Sequence, residues 1–328
     1  MYPEQVAEQD LFQTAGYTLL ASQLVNPESL PLFHVCFDPL EELIWAVSKT
    51  GRVCAFYGPM MERYVSFPVF SALDKLTAKA ILPSPECTSR LLYSLTDQSL
   101  LAHSKTGVFV AAASDPRMLQ LECFCATNSV GGALMDSKLS GGMSNMARFF
   151  IGGLQNELLE VDTAPERWGN VRRAFHIGSK GCVILKAFTG GLCGANTAGE
   201  IMVVDPRVPK GVVREFLAHN TEISDMAVSG NTLVTCGWTP FGDGNVRVER
   251  LLKVFDLRTG QLQIPVPVDL DPYHMQFHNG SSDKLVTASQ QGLIQTVNIG
   301  SKSSTHCEIL GTLPINFDCL VSFALSRR

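Results

Sequence analysis

The sequence predicts an all-β protein folded as a β-propeller, a ring of four-stranded sheets, and three observations support this. Apolar runs of about four to eight residues, rich in Val, Ile, Leu, Phe and Thr, are closed by Gly, Pro, Asn, Asp or Ser, as is typical of strands. These runs recur with a period of about 40 to 45 residues, the length of a propeller blade. Amphipathic helical stretches are rare, and the best one lies near residues 5–14.

The composition is that of a folded, weakly acidic protein. Of the 328 residues, 45% are hydrophobic and 17% are charged, and the formal net charge is −5. A disordered chain has less apolar surface and a long coiled coil has more charged helix formers, so both classes are excluded. Because closed all-β folds commonly exceed about 200 residues as one unit, we expect residues 1–328 to form a single domain.

The start of the chain and its hydropathy predict a soluble protein with no membrane partner. The first ten residues carry three acids and no Lys or Arg, which differs from the basic start of a secretion signal. No run of about 18 apolar residues occurs, and a membrane-spanning helix would require one.

Nine segments show the strand pattern most clearly. They are rich in large apolar and β-branched residues and are bounded by turn residues. The segments are residues 43–47, 53–57, 91–95, 148–151, 182–187, 201–204, 231–236, 252–256 and 284–288.

A turn residue lies six positions before the end of several predicted strands. Gly at this position suits a tight hairpin turn with positive φ, and Asn156 is a chemically sensible substitute for Gly. The pairs are Gly51 with Tyr57, Asn156 with Asp162, Gly199 with Asp205, and Gly292 with Asn298.

The strand ends repeat in a degenerate WD-repeat register, in which Asp is kept and Trp is replaced. The ends at Asp162, Asp205, Asp256 and Asn298 are separated by 43, 51 and 42 residues. The longest interval contains a polar insertion at residues 239–250, which we expect to be a loop, because loops tolerate added residues at small thermodynamic cost.

The period divides the chain into six blades and the start of a seventh, so we predict a seven-bladed WD-repeat propeller whose last blade is incomplete in this chain. The segment 17–24 has no partner in the first blade, and we expect it to complete the last blade and close the ring, which would protect the sheet edges. The predicted blades are residues 32–67, 78–113, 118–176, 181–216, 223–266 and 272–310, followed by 318–325.

The cysteines predict an intracellular protein with free thiols. Ten Cys amount to about 3% of the chain, which is far below the content of a disulfide scaffold. Most lie within apolar runs, as Cys123, Cys125 and Cys236 do, and we interpret them as reduced and buried. A structural zinc site is the alternative, but no C-x-x-C pair exists and the His are scattered. We therefore predict no metal site and no cofactor.

Signatures of catalysis are absent from the sequence. It contains no P-loop, nucleophile elbow or zincin motif, and the Gly242 and Gly244 pair lacks the third glycine of a dinucleotide-binding loop. It also contains no D-x-E pair of the kind that two-metal nucleases use. The rival class is a propeller enzyme, whose acids, His or Arg would converge on the central channel from several blades. The sequence shows no such set, and we predict no catalytic residues.

Three positions allow both a structural and a functional interpretation. His219 and Asp225 lie where WD repeats place a His before the first strand of a blade and an acid shortly after it. We expect them to join a buried hydrogen-bond network, because buried polar groups need partners. Trp238 follows a predicted strand and opens the polar insertion, so it is either an exposed contact residue or part of the core.

Two adjacent basic pairs are the only local signs of an anionic partner. They are Arg172 with Arg173 and Arg327 with Arg328. The chain has five more acids than bases, which argues against a broad nucleic-acid surface. We interpret the pairs as solvated surface charge, with a local binding patch as the alternative.

Several stretches resemble one family, the N-terminal WD-repeat domain of the catalytic subunit of the Pan poly(A)-nuclease deadenylase complex. A generic WD repeat shares only the turns and the Asp, so the letters FYGPMMERY and ISDMAVSGNTLVTCGW carry the specificity. Together the matching stretches span most of residues 35–325. They are residues 37–67, 152–162, 193–207, 218–238, 251–262 and 289–295.

The resemblance implies a non-catalytic interaction platform in a complex that shortens mRNA poly(A) tails. In the family, a separate C-terminal exonuclease domain uses Mg²⁺, and we expect that domain to be absent from this chain. The implied partners are the pseudokinase regulatory subunit and the poly(A) ribonucleoprotein, through its coat protein. The implied location is the cytoplasm, including P-bodies, and also the nucleus. A generic WD-repeat scaffold of another intracellular complex is the alternative function.

Four residues of the family-specific stretches are candidate partner contacts. Glu62, Arg63 and Tyr64 belong to the FYGPMMERY stretch, and Trp238 ends the ISDMAVSGNTLVTCGW stretch. Their motif positions are the basis for this prediction.

Overall fold

The fold is seen in a computed structural model of the chain. It describes residues 32–37, 42–48, 52–57, 62–68, 77–83, 91–95, 98–103, 108–113, 120–124, 148–161, 171–242, 244–263, 265–278, 281–300, 307–312, 320 and 323–325. These residues form strands, turns and loops, and none of them is helical. Within the same ranges, no helix is long and apolar enough to cross a membrane.

The first three sheets are four-stranded and antiparallel. In the second sheet the spatial order is β5-β8-β7-β6, whereas the strands of the first and third sheets are neighbours in chain order. The strands are β1 (Leu32–Phe37), β2 (Leu43–Ser48), β3 (Arg52–Tyr57), β4 (Glu62–Pro68), β5 (Thr77–Pro83), β6 (Leu91–Leu95), β7 (Gln98–His103), β8 (Val108–Ala113), β9 (Gln120–Phe124), β10 (Arg148–Gly152), β11 (Glu157–Val161) and β12 (Val171–His176).

The last three sheets are also antiparallel, and the fifth has two additional short strands. In that sheet β19 pairs with β18, and β22 pairs with β20. The strands are β13 (Ile184–Phe188), β14 (Gly191–Ala195), β15 (Glu200–Val204), β16 (Val212–Leu217), β17 (Ile223–Ser229), β18 (Thr232–Phe241), β19 (Asn245–Val248), β20 (Leu251–Asp256), β21 (Gln261–Leu262), β22 (Val266–Pro267), β23 (His274–Phe277), β24 (Lys284–Ala288), β25 (Leu293–Asn298) and β26 (Cys307–Thr312).

The sheets are arranged as the blades of a propeller. The first strand of each sheet contacts the first strand of the next, in the order β1, β5, β9, β13, β17 and β23. These six strands are therefore the inner strands of the ring. The predicted all-β WD-repeat propeller is confirmed.

The core lies between neighbouring sheets. Between the fourth and fifth sheets, Ile201 and Leu233 are fully buried and Phe255 is nearly so. Burying such a side chain contributes roughly 1.5 to 3 kcal/mol. Because middle strands pack against a sheet on each side, their sequences are short continuous apolar runs and not strict alternations. Outer strands such as β16 are largely exposed.

The nine predicted strand segments all fall on observed strands. The largest difference is in the segment 231–236, where β18 continues to Phe241; in the segment 182–187, β13 begins at Ile184. The residue before it, Val183, donates its backbone N–H to Ala195 before the ladder starts. Among the described cysteines, Cys54, Cys182, Cys193 and Cys236 are buried free thiols, and Cys36 is half-buried.

The described residues form six sheets, whereas the sequence predicts six blades and part of a seventh. Within the predicted seventh segment, residues 320 and 323–325 are described and form no strand. Their backbone groups contact side chains of β23. The Leu325 N–H donates to Gln276 Oε1 at 2.8 Å, and the Leu320 carbonyl oxygen lies 3.1 Å from His274 Nε2. Asp318 and the predicted closing segment 17–24 lie outside the described residues.

Candidate interaction surface

The first candidate surface is the outer strand of the first sheet. Glu62, Arg63 and Tyr64 lie on β4 and are exposed, and the Tyr64 side chain is 68% exposed. A bulge at this point makes Arg63 face Phe56 while Val65 faces Ala55, so Tyr64 has no direct partner on β3. The bulge therefore turns this aromatic ring outward at a sheet edge, where Tyr57 of the neighbouring strand is also exposed.

The second candidate surface replaces the loop that the sequence predicts at residues 239–250. Strand β18 continues through Trp238 to Phe241, and the chain returns as β19 from Asn245. Both glycines of the turn, Gly242 and Gly244, have positive φ, so they form a hairpin turn. The loop prediction was wrong, because Val246 and Val248 alternate with polar residues and pair across to Pro240 and Trp238.

The distal hairpin, residues 238–248, has two different faces. Because side chains alternate along a strand, Trp238, Pro240, Val246 and Val248 share one face, and it carries no charged residue. Trp238 is half-buried at its base, and the Val246 side chain is 53% exposed.

The opposite face of the distal hairpin carries Phe241 and Arg247. The Arg247 guanidinium lies 5.0 Å from the centre of the Phe241 ring, and that ring is 57% exposed. An exposed apolar face backed by an aromatic ring and a cation is typical of a contact surface for another macromolecule.

The base of the distal hairpin is fixed to the loop that precedes the fifth sheet. The backbone N–H of Trp238 donates to the backbone carbonyl of Glu222 at 3.2 Å, and the Trp238 carbonyl accepts a hydrogen bond from the Thr221 hydroxyl. Glu249 donates its backbone N–H to Gly237 at 2.9 Å. These bonds hold the hairpin at a defined angle to the ring, so its exposed faces are presented in one orientation.

His219 joins the distal hairpin to the core of the fifth sheet. Its Nδ1 lies 3.1 Å from Glu249 Oε2 and its Nε2 lies 2.9 Å from Thr235 Oγ1, and its side chain is fully buried. Burial lowers the pKa of His219 to about 4, and Lys253 acts in the same direction while Glu249 opposes it. The ring is therefore neutral at pH 7, with Nδ1–H donating to the carboxylate and the Thr235 hydroxyl donating to Nε2.

Asp225 belongs to a separate network that connects two blades. Its Oδ2 accepts a hydrogen bond from the backbone N–H of Met275 on β23 at 2.7 Å, and its Oδ1 accepts one from Met226 N at 2.8 Å. The predicted pairing of His219 and Asp225 in one network is thus replaced by two networks. The distance in sequence between Asp225 and Met275 explains why the sequence did not reveal this contact.

The predicted turn glycines that the structure describes have positive φ. The φ angle is +80° at Gly199 and +83° at Gly292. Asn156 and Gly199 have equivalent roles, because each backbone carbonyl accepts an N–H from the residue that follows the outer strand, Ile177 and Ala218 respectively. Gly51 and Asp162 lie outside the described residues.

A polar side chain three residues before the turn glycine is a feature that the sequence analysis missed. The Ser48 hydroxyl accepts the N–H of Arg52 at 3.0 Å, and the Ser289 hydroxyl accepts that of Leu293 at 3.1 Å. In the fourth sheet the Asn196 side chain accepts the N–H of Glu200 at 3.0 Å. The recurring Ser or Asn before Gly was the signal that could have revealed it.

Asp205 directly follows β15 and Asp256 ends β20, and each holds an arginine two residues later. In each pair, one carboxylate oxygen accepts from the backbone N–H and Nε, and the other accepts from Nη2, at 2.7 to 3.1 Å. The arginine lowers the pKa of both carboxyl groups. Asn298 forms a related turn with the N–H of Gly300 at 3.1 Å.

Three basic residues on inner strands of different blades were not identified from the sequence. They are His34 on β1, Lys186 on β13 and His274 on β23. Burial lowers the pKa of His34 to about 4, and electrostatic interaction with Lys186 and His274 acts in the same direction. Within the described ranges, no group of three or more His, Cys, Asp or Glu side chains is arranged to hold a metal ion.

Comparison with known proteins identifies the family. The family model described as PAN2 N-terminal matches residues 134–326, which is more than half of the chain. The chain belongs to the PAN2 N-terminal family. The described residues of the matched region, from β10 onward, belong to the propeller sheets, and the nuclease domain is not in this region.

Relatives from animals and fungi agree with this assignment. The chain is 28% identical over 304 residues to the PAN2-PAN3 deadenylation complex catalytic subunit PAN2 of Gallus gallus, covering 91% of this chain and 23% of that protein. It is 25% identical over 281 residues to the subunit of the same name from Phaeosphaeria nodorum, covering 86% and 23%. The chain thus spans less than a quarter of the length of these relatives.

A solved structure supports the fold. The Pan2 WD40 domain of Neurospora crassa superposes with a TM-score of 0.68 at 20% sequence identity, covering 94% of this chain and 89% of that domain. At this identity the likeness concerns the fold alone. It agrees with the ring of inner strands described above.

Proposed function

We propose that this chain is a non-catalytic protein-interaction platform of a PAN2–PAN3 deadenylation complex that shortens mRNA poly(A) tails. The observation that carries the proposal is the match of the PAN2 N-terminal family to residues 134–326. A propeller is suited to this role because a rigid ring positions exposed turns and outer strands without requiring a reactive site.

The proposed partners are the pseudokinase regulatory subunit and the coat protein of the poly(A) ribonucleoprotein. The names of the relatives, which are catalytic subunits of a PAN2–PAN3 complex, support the first partner. The exposed Tyr64 strand and the distal hairpin are the proposed contact surfaces. We assign no cofactor to this chain, and we place it in the cytoplasm, including P-bodies, and in the nucleus.

The experiment is a pull-down of the tagged chain from extract of its own organism, with and without RNase. We expect the regulatory subunit to be recovered in both samples and RNA-bridged coat protein to be lost after RNase. The double variant Phe241→Asp with Val246→Asp should reduce recovery of the regulatory subunit at least fivefold, because charges would enter both faces of the distal hairpin. The purified chain should release no adenylate from poly(A) with Mg²⁺.

A control is Leu262→Asp, which adds a single charge at a residue that is 50% exposed elsewhere on the fifth sheet. It should leave recovery unchanged, since exposed substitutions change stability by about 0.5 kcal/mol or less. Recovery of neither partner by the unmodified chain would contradict the platform assignment, and so would adenylate release. An equal loss with Leu262→Asp would remove the distal hairpin from the proposal.

A further inference from the structure

Two outer strands each place an arginine on the next blade. Arg173 on β12 donates through Nη2 to the backbone carbonyl of Pro206, in the turn after β15. Arg214 on β16 donates to the carbonyls of Arg258 and Thr259, both at 2.8 Å, in the turn after β20. The third, fourth and fifth sheets are therefore linked in the same way at the same end of the ring.

The turns that receive these arginines carry arginines of their own. Arg207 and Arg258 are the residues held by Asp205 and Asp256, and their side chains are 67% and 71% exposed. Each uses Nε and Nη2 in the carboxylate contact, which leaves Nη1 directed away from that carboxylate. The geometry fixes two guanidinium groups at the surface while keeping donors available.

A β-bulge adds a further cation. Glu160 faces Arg173 while Val161 faces Val171, so Arg172 is the additional residue of β12. A bulge brings two successive side chains toward one side of the sheet. Accordingly, Arg173 Nε lies 2.9 Å from Glu160 Oε2 and Arg172 Nε lies 4.0 Å from Glu160 Oε1, although adjacent strand residues normally point to opposite faces.

These basic side chains lie on the outer strands of the third and fourth sheets and on the turns that receive Arg173 and Arg214, and we name them the arginine ridge. Its acids are the fully buried Glu160, the two aspartates that hold its arginines, and the exposed Glu215. Among the described residues, the ridge thus has six bases against four acids, whereas the whole chain has 26 bases against 31 acids. Its bases are Arg172, Arg173, Arg207, Lys210, Arg214 and Arg258.

The apolar residues among these cations distinguish between two kinds of anionic partner. Val171, Val208 and Val213 are 41%, 37% and 51% exposed beside the arginines. The aromatic rings described nearby are not presented to solvent in this way, since Phe175 is buried and Phe216 is half-buried. Single-stranded nucleic acid is bound through exposed aromatic rings on which its bases stack. Exposed aliphatic residues between guanidinium groups suit a peptide instead.

We propose that the arginine ridge binds an extended acidic segment of a protein, with aliphatic side chains between its carboxylates. Carboxylates would accept charge-assisted hydrogen bonds from the exposed guanidinium groups, and aliphatic side chains would cover the valines. The proposal goes beyond the platform assignment, because it specifies a surface and the chemistry of its ligand whichever protein supplies the segment.

The test measures binding of a synthetic peptide to the purified chain by fluorescence anisotropy. The probe is a labelled peptide of about 12 residues with Glu at two of every three positions and Val at the third. Two other ligands are compared with it: the same peptide with Gln in place of Glu, and an oligoadenylate of about 20 nucleotides. We expect the Glu peptide to bind at least tenfold more tightly than either. The regulatory subunit takes no part in this assay, so the result does not depend on whether the platform assignment is correct.

The decisive variant is Arg172→Glu with Lys210→Glu, which reverses two ridge charges but leaves both aspartate-held arginines intact. We expect at least tenfold weaker binding of the Glu peptide. The control, Lys180→Glu with Lys284→Glu, makes the same change in net charge at exposed positions outside the ridge and should change affinity less than twofold.

Three outcomes would overturn the proposal. The first is no binding of the Glu peptide by the unmodified chain. The second is equal weakening by the two double variants, which would show a response to net charge alone. The third is tighter binding of oligoadenylate that the ridge variant abolishes, which would assign the surface to nucleic acid.

Discussion

The imidazole of His219 lies between a hydroxyl and a carboxylate in the protein interior. Its protonation state therefore affects the stability of the fold. The free energy of unfolding depends on pH wherever a group binds protons differently in the folded and unfolded chains. For His219 the folded pKa is about 4, below the ordinary value of 6.5. The unfolded chain therefore binds the proton first as the pH falls, and stability present above pH 6.5 is lost toward pH 4.

We predict that His219→Gln reduces the loss of stability on acidification. Between pH 6.5 and 4, the shift at this residue can account for up to about 3 kcal/mol of the decrease in the unmodified chain. The measurement is the urea midpoint at pH 7, 6, 5 and 4.5. His176→Gln changes an exposed histidine and should retain the full pH dependence. Parallel pH profiles for the unmodified chain and His219→Gln would contradict the prediction.

Contacts of the individual residues show what spacing in a sequence cannot reveal. His219 and Asp225 are close in sequence and suggest one network, but their partners are Glu249 and Thr235 in one case and Met275 in the other. These partners lie 16 to 50 residues away. Periodicity identifies positions within a blade, whereas contacts between blades depend on the geometry of the ring.

At the scale of elements, the turn between β14 and β15 is tightly enclosed by the chain that follows β16. A Cβ atom on Gly199 would lie 2.2 Å from the carbonyl oxygens of both His219 and Thr221. The carbonyl oxygen of Gly199 accepts hydrogen bonds from the backbone N–H groups of Ala218 and His219. Glycine is therefore required here both for its positive φ and for close approach of the two backbones.

We predict that Gly199→Ala destabilises the chain far more than Gly230→Ala. Gly230 also has positive φ, but a Cβ atom there would meet nothing within 4 Å. We therefore expect the free energy of unfolding to fall by about 1 kcal/mol in Gly230→Ala, from backbone strain alone. In Gly199→Ala it should fall by about 3 kcal/mol or more. Chemical denaturation of the two variants measures the difference. Equal losses would show that the clash at Gly199 is relieved by a small movement of the turn.

Strands were more predictable from the sequence than the hairpin that projects from them. The repeated spacing that ends at Asp205 and Asp256 identified the blades, because apolar runs and turn residues are local signals. The distal hairpin contains Gly242, Gly244 and several polar residues, which are also signals for a loop. It forms strands because its residues pair with one another and need no neighbouring sheet.

For the molecule as a whole, side-chain bonds between blades supplement the apolar core. Asp225 binds Met275, Arg173 binds Pro206, and each contact joins one sheet to the next. The Asp225 bond is between inner strands, while the arginine bond originates from an outer strand. The ring is thus connected at both its inner and its outer radius.

We predict that Asp225→Ala weakens the connection between the fifth and sixth sheets. Loss of the bond would leave the Met275 N–H without its acceptor, at a cost of about 1 to 3 kcal/mol. Hydrogen exchange followed by mass spectrometry should show faster exchange in the peptide containing Met275, with little change in the fourth sheet. Asp283→Ala, at an exposed turn, is the control and should leave exchange near Met275 unchanged. Unaltered exchange in Asp225→Ala would contradict the prediction.

The paired arginines also bear on how such a ring grows in evolution. The fourth sheet carries both halves of the connection, since Arg214 reaches forward to Arg258 and Pro206 receives Arg173. A tandem duplication of that unit would supply each new copy with a compatible neighbour on either side. A copy of the gene segment that encodes the fourth sheet could therefore be inserted beside the original, and the same arginine-to-carbonyl hydrogen bonds would connect the two copies.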